Sequence, residues 1–160
     1  MLHITRVLRV ATVLCLAALL PLAHGQVASG VVKMNPKPVT VSSLSSLSRS
    51  VEPMLFSGQA VVYSRLATDP TSRSPSLVML IDMSGVIGVS KSSGLTYVSS
   101  SQEYIVRPHL PNQSIEFTFA LATGASAPVS AVRTGTAQFA MNVDPVTGSI
   151  TSVAASVTPR

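Results

Sequence analysis

His109, Asp82 and the many serines are the residues of this chain that could carry acid–base or nucleophilic chemistry. His109 stands in the loop Arg107-Pro108-His109-Leu110-Pro111, where an exposed general base could be displayed. Asp82 ends the most apolar run of the sequence, and a carboxylate beside buried residues must be paired or protonated. With a serine these two side chains would make a hydrolase, but no Gly-x-Ser-x-Gly motif accompanies them. The simpler interpretation is an exposed loop histidine and a turn in which Asp82 accepts hydrogen bonds from the Ser84 and Gly85 amides.

Metal and phosphate chemistry find even less support in the sequence. The carboxylates have no second ligand at a useful spacing, so no metal site is predicted. They are Glu52, Asp69, Asp82, Glu103, Glu116 and Asp144. The glycines at 85, 88 and 94 are separated by β-forming residues and precede no helix, unlike a phosphate-binding loop. We therefore expect no catalytic residue, no cofactor and no metal ion, and we interpret the protein as non-enzymatic.

The N-terminus has the pattern of a secretory signal peptide. Arg6 and Arg9 precede an apolar run over 10–22, and Ala23-His24-Gly25 forms a small-x-small cleavage site. The run is too short for a comfortable membrane span, although an uncleaved anchor is the alternative. A lipid anchor at Cys15 is not expected, because Leu14 precedes it and further apolar sequence follows.

Cleavage after Gly25 determines what chemistry the exported protein retains. It would remove Cys15, His3 and His24, and leave 160 − 25 = 135 residues with His109 as the one histidine and no disulfide. The stability of the domain must then come from apolar burial and strand pairing. We expect a secreted, periplasmic or cell-envelope protein with no later membrane span.

The positive charge of the chain is spread too thinly for a nucleic-acid-binding surface. Without Arg6 and Arg9 the 11 basic residues fall to 9, against 6 acidic ones, so the net charge falls from +5 to +3. The remaining cations occur singly along the sequence and form no dense patch. We expect no nucleic-acid partner.

The sequence after the signal peptide divides into an arm, 26–52, and a β-domain, 53–160. The arm contains Pro36, Pro38 and the serine-rich run 42–50, which disfavour helix and have little to bury. We interpret it as a flexible Ser/Pro-rich linker. The alternative is that Val39-Thr40-Val41 adds a strand to a sheet edge.

The predicted β-domain, 53–160, contains a series of strand patterns. In 115–121 apolar residues alternate with Glu116 and Thr118, which predicts a half-buried strand, and 55–66 behaves similarly. Leu77 to Ile81 is apolar on both faces, as in a doubly covered strand. Asp144-Pro145-Val146-Thr147-Gly148 has the residues of a hairpin loop between 136–143 and 149–157. Shorter strands are predicted at 85–89, 94–99 and 102–107.

These patterns together predict an all-β domain: an antiparallel β-sandwich or small β-barrel of about seven to eight strands. We expect an exported structural or adhesive interaction module whose partners are other envelope or extracellular proteins or further copies of itself. A specific version has the Val39 to Val41 region added to a neighbour's sheet edge. The alternative is a carrier of a small apolar ligand, with an interior lined by Phe117, Phe119, Phe139, Met79 and Met141.

Overall fold

The computed structural model describes residues 33–44, 52–68, 73–124 and 131–160, and the domain is all-β in these ranges. Its strands are β1 (Asn35–Ser43), β2 (Met54–Thr68), β3 (Pro75–Asp82), β4 (Val86–Ser90), β5 (Thr96–Ser99), β6 (Gln102–Pro108), β7 (Asn112–Ala122), β8 (Arg133–Val143) and β9 (Ile150–Pro159). Within the described ranges no helix is long and apolar enough to cross a membrane. The predicted signal peptide lies outside them.

The nine strands form one mixed sheet in the order β1-β9-β8-β7-β5-β4-β2-β3-β6. The prediction of a purely antiparallel sheet is wrong in one place, because β1 runs parallel to β9 with Val41 beside Ala155. β1 also pairs with β2, with Val39 beside Ala60. The chain of pairings therefore returns to β1 and leaves β3 and β6 as an extension from β2.

Strand β1 corrects the boundary of the predicted arm. Residues 35–43, inside the interval 26–52, belong to the sheet, and Val39 and Val41 are buried in its core. The alternative in which Val39-Thr40-Val41 adds a strand is therefore the one observed, and the strand joins its own domain. The apolar alternation of Val39 and Val41 outweighs the poor strand propensity of the two prolines because both valines reach the core. Residues 45–51 of the predicted arm lie outside the described ranges.

Strand β2 changes partner along its length. Its first part, up to Gly58, pairs with β4, and its second part, from Val61, pairs with β3. Gly58 has φ of 109°, and a Cβ atom there would lie 2.1 Å from the Gly85 carbonyl oxygen. Only glycine fits this close approach of two backbones, which is where the long strand passes from one partner to the other.

The clearest local patterns are confirmed. β7 buries Ile115, Phe119 and Leu121, partly buries Phe117, and exposes Glu116, Thr118 and Ala120. The β8–β9 hairpin turns at Asp144, whose Oδ1 accepts from the Val146 and Thr147 amides at 2.8 Å each, and Gly148 has φ of 69°. These hydrogen bonds lower the pKa of Asp144, because they favour the ionised carboxylate.

One hydrophobic core connects the strands. Its fully buried large side chains include those of Leu77, Met79, Ile81, Met83, Ile115, Leu121 and Phe139. No disulfide contributes, so the burial of these side chains and the strand ladders stabilise the fold.

Candidate interaction site

Asp82 caps a turn. Its Oδ1 accepts from the Ser84 amide at 2.8 Å, and its Oδ2 accepts from Gln102 Nε2 at 3.1 Å. The Ser84 hydrogen bond is the main reason that the pKa of Asp82 is lowered. The carboxylate is therefore held ionised and paired, which is the simpler of the two interpretations drawn from the sequence.

His109 lies far from Asp82. In the β3–β6 ladder Asp82 stands opposite Gln102 at one end, and Ser76 stands opposite Pro108, the neighbour of His109, at the other. Six residues of extended strand separate the two ends, a distance of about 20 Å. His109 is half-buried, and its Nε2 has no hydrogen-bond partner among the described residues. The structure does not bring the two predicted hydrolase residues into one cleft.

The side chains named for a ligand-binding interior belong to the hydrophobic core. Phe117 stacks on Phe139 with ring centroids 5.9 Å apart, and Phe119 meets Phe117 edge-on at 6.5 Å. Met79 and Met141 are buried in the same cluster. These rings contact one another, so their observed role is packing.

A charged cluster that the sequence analysis missed joins four separate segments. Arg133 Nε donates to Glu52 Oε2 at 2.7 Å, Ser90 Oγ donates to the other oxygen of Glu52, and the Arg133 guanidinium lies 5.6 Å from the Tyr97 ring centroid. The hydrogen bond from Ser90, followed by that from Arg133, lowers the pKa of Glu52. Glu52 and Arg133 are 81 positions apart in sequence, so no local pattern could have revealed their ion pair. Both carboxylate oxygens of Glu52 accept hydrogen bonds, one from Ser90 of β4 and the other from Arg133 of β8.

Among the described strands, β6 forms an open edge of the sheet. It pairs with β3 on one side and is the last strand in the order. His109 donates its backbone N–H to the Pro75 carbonyl (3.3 Å), and Met83 donates to the Ser101 carbonyl (2.9 Å). Since hydrogen-bonded positions alternate along an antiparallel ladder, the odd-numbered residues of β6 bond to β3. The backbone groups of Gln102, Tyr104 and Val106 consequently point away from the sheet.

The opposite edge, β1, is closed to strand addition. Continuing the same alternation through β3 and β2 directs the backbone groups of Asn35, Lys37 and Val39 toward β2. The nitrogens of Pro36 and Pro38 therefore face outward, where they have no N–H to donate. Beyond them, β9 pairs with β1. Prolines at an edge are a common protection against unwanted pairing. β6 carries one, Pro108, at its last outward position, whereas its outward positions 102, 104 and 106 keep their N–H groups.

The side chains on the outer face of β6 are unusually apolar for an exposed strand. Tyr104 is 62% exposed and Val106 55% exposed. Their neighbours on β3 are Leu80, which is partly exposed, and Val78, which is buried. An apolar face beside an unpaired backbone edge is the combination that binds another β-strand.

A second group of exposed apolar side chains lies on strands that have no unpaired backbone edge beside it. Leu55 and Val98 lie on the outer face of β2 and β5, with Ile87 and Val89 of β4 between them. Here β4 is paired with β2 on one side and with β5 on the other. The outer face of β7, β8 and β9 differs again, because its shallow grooves are lined by small residues such as Ser114, Ala140 and Ala154. The β6 edge is thus the surface that offers both apolar side chains and unpaired backbone groups.

In the described ranges, no group of three or more His, Cys, Asp and Glu side chains is placed to hold a metal ion. Comparison with known proteins adds no relative: no family model matches the chain, and no curated protein or solved structure is significantly similar to it.

Proposed function

We propose that this protein is an exported, non-enzymatic β-domain that acts in the cell envelope or outside the cell as a structural or adhesive module, and that it binds its protein partner by strand addition at β6. The observation that carries the proposal is the asymmetry of the two edges. Pro36 and Pro38 protect one edge, whereas β6 presents the outward amides of Gln102, Tyr104 and Val106. Main-chain hydrogen bonds would supply affinity, and Tyr104 and Val106 would supply apolar contact.

The architecture that we propose for the domain is a sandwich whose corners are made by strands that change sheets. β1 divides its pairing between β2 and β9, and β2 divides its pairing between β4 and β3. Strands that bend from one layer to the other at a glycine or bulge are typical of packed sheets. This arrangement leaves β6 at the margin of the smaller layer.

Site-specific photocrosslinking tests the proposed function. A photoreactive benzoylphenylalanine replaces Tyr104 in the full-length chain, produced in its own cells, and a control chain carries it at Ala140, an exposed residue of β8 that is paired on both sides. We expect a covalent adduct at 104 whose attachment point, mapped by mass spectrometry, lies in an extended segment of the partner chain.

A second substitution makes the test specific for backbone pairing. Val106→Pro removes an outward N–H that has no partner in the described domain, so the fold should tolerate it and the adduct should be lost. Val106→Thr keeps the N–H and the β-branched shape, and should retain the adduct. Equal adducts at 104 and 140, no adduct at 104, or an adduct unchanged by Val106→Pro would each refute strand addition at β6.

A further inference from the structure

The sequence of β6 is complementary to itself when reversed. Around Ile105, the residues run Glu103-Tyr104-Ile105-Val106-Arg107, with an acidic residue at one end, a basic residue at the other and apolar residues between. We infer that the strand which β6 binds is β6 of a second copy of this chain, antiparallel and centred on Ile105. This inference rests on the proposed function and specifies its partner.

The backbone satisfies this register. In the centred pairing Tyr104 of each copy lies opposite Val106 of the other, and both have outward N–H and C=O groups. They form hydrogen-bonded pairs in which each residue donates and accepts once. Gln102 lies opposite Pro108 of the second copy, where its amide donates to the Pro108 carbonyl. That oxygen already accepts from Gln113 Nε2 at 3.0 Å and uses its second lone pair here. Pro108 has no N–H, but it is needed there as an acceptor.

The charges favour the same register. Glu103 of each copy lies opposite Arg107 of the other at a non-hydrogen-bonded position, where cross-strand side chains come closest. Neither residue forms a salt bridge in the described part of the domain, where the ion pair observed is Arg133–Glu52. Two opposite-charge pairs would therefore form without breaking an existing one.

Neighbouring registers lose these pairs. The outward backbone groups belong to the even-numbered residues Gln102, Tyr104 and Val106, which must therefore lie opposite even-numbered residues of the second copy. One strand can consequently slide past the other only in steps of two residues. The next register on one side places Glu103 opposite Ile105, and the next on the other side places it opposite His109. Each of these antiparallel registers has a twofold axis, as a closed dimer with an isologous interface requires, so the two Glu103–Arg107 pairs are what distinguish the centred register.

Charge reversal with heterodimer rescue tests the inference. E103R and R107E each create two like-charge pairs in a homodimer, so each should raise the dimer dissociation constant at least about tenfold, measured by sedimentation equilibrium on the full chain. An equimolar mixture of E103R and R107E chains restores both opposite-charge pairs and should form heterodimers. The double variant E103R/R107E should recover homodimers. K91E changes the net charge as R107E does but lies in an exposed turn, and should leave dimerisation unchanged.

The outcomes separate this inference from the proposed function. A chain that stays monomeric at every concentration, or a dimer that neither charge reversal weakens, would overturn self-pairing. If the photocrosslink at position 104 then joins a different protein and is lost in Val106→Pro, strand addition at β6 stands and only the identity of the partner is wrong. Thermal unfolding of each variant checks that the fold is intact, and Val106→Pro provides a monomer by backbone chemistry alone.

Discussion

Glu103 and Arg107 lie on the same face of β6, at equal distances along the strand on either side of Ile105. In an antiparallel pair, this spacing brings opposite charges together twice when the strand meets a copy of itself. Prolines protect the β1 edge from pairing, whereas the β6 edge offers outward amides and a self-complementary sequence. Both features limit the partners that the sheet can accept.

Salt should change the stability of the dimer in a direction that depends on the charges of β6. Exposed opposite-charge pairs are screened by salt, so sodium chloride should weaken the wild-type dimer. In the E103R and R107E homodimers the same screening relieves repulsion, so salt should strengthen them. Sedimentation equilibrium at low and high ionic strength measures both trends, and a wild-type dimer that strengthens with salt would contradict the charge pairing.

Val41→Ala should destabilise the domain, because β1 is part of the core. Val41 is 5% exposed, and truncation removes two buried methyl groups and leaves a cavity, at a cost of about 2 kcal/mol in the free energy of unfolding. Thr40→Ala is the control, since Thr40 is exposed, and should change stability by less than about 0.5 kcal/mol. Urea unfolding measures both, and equal small effects would mean that β1 is not held in the core.

Gly58→Ala should be among the most damaging single substitutions. It combines a positive φ with the approach of 2.1 Å between the new Cβ and the Gly85 carbonyl, so we expect a loss of at least about 3 kcal/mol. Gly94→Ala is the matched control. Gly94 also has a positive φ, of 71°, but has open space around it, so its loss should be about 1 kcal/mol. Similar losses in urea unfolding would show that the backbone approach at Gly58 is unimportant.

The Glu52–Arg133 pair predicts a pH dependence of stability. The pKa of Glu52 is lowered in the folded state, first by Ser90 and then by Arg133, so the carboxylate stabilises the fold above its unfolded pKa. This contribution is lost as pH falls through the lowered folded pKa. Glu52→Gln should therefore be less stable than wild type at about pH 7, with the difference shrinking toward about pH 3.

Chemical unfolding over that pH range checks the expectation for Glu52. Asp82 and Asp144 also have lowered pKa values, so both proteins should still lose stability in acid. A difference between wild type and Glu52→Gln that grows on acidification would contradict the role of the pair.

The sequence predicts strands whose signals are local. β7 follows from alternation within 115–121, and the β8–β9 hairpin follows from Asp144, Pro145 and Gly148, each of which acts on its own few residues. The turn cap at Asp82 also follows from the sequence, because the Ser84 amide that it accepts from is two residues along the chain, whereas its hydrogen bond from Gln102 is non-local.

The features that the sequence did not predict depend on contacts between distant segments of the chain. Pro36 and Pro38 indicate a linker when read along the chain, and only the pairing order reveals that their nitrogens face an open edge. The Glu52–Arg133 pair depends on segments brought together by the whole fold. The exposure of β6 depends on its being placed beyond β3, at the end of the sheet, which alternation in 102–107 does not encode.

Hydrogen exchange of the β6 amides shows whether β6 is the edge through which the chain associates. In dilute monomer, the amides of Glu103, Ile105 and Arg107 should be protected by β3, and those of Tyr104 and Val106 should exchange rapidly. At concentrations where the chain associates, we expect the amides of Tyr104 and Val106 to become protected as well, while the outward amides of the Val106→Pro chain stay fast. Association that leaves the Tyr104 and Val106 amides exchanging at their monomer rates would contradict the claim that β6 is the binding edge.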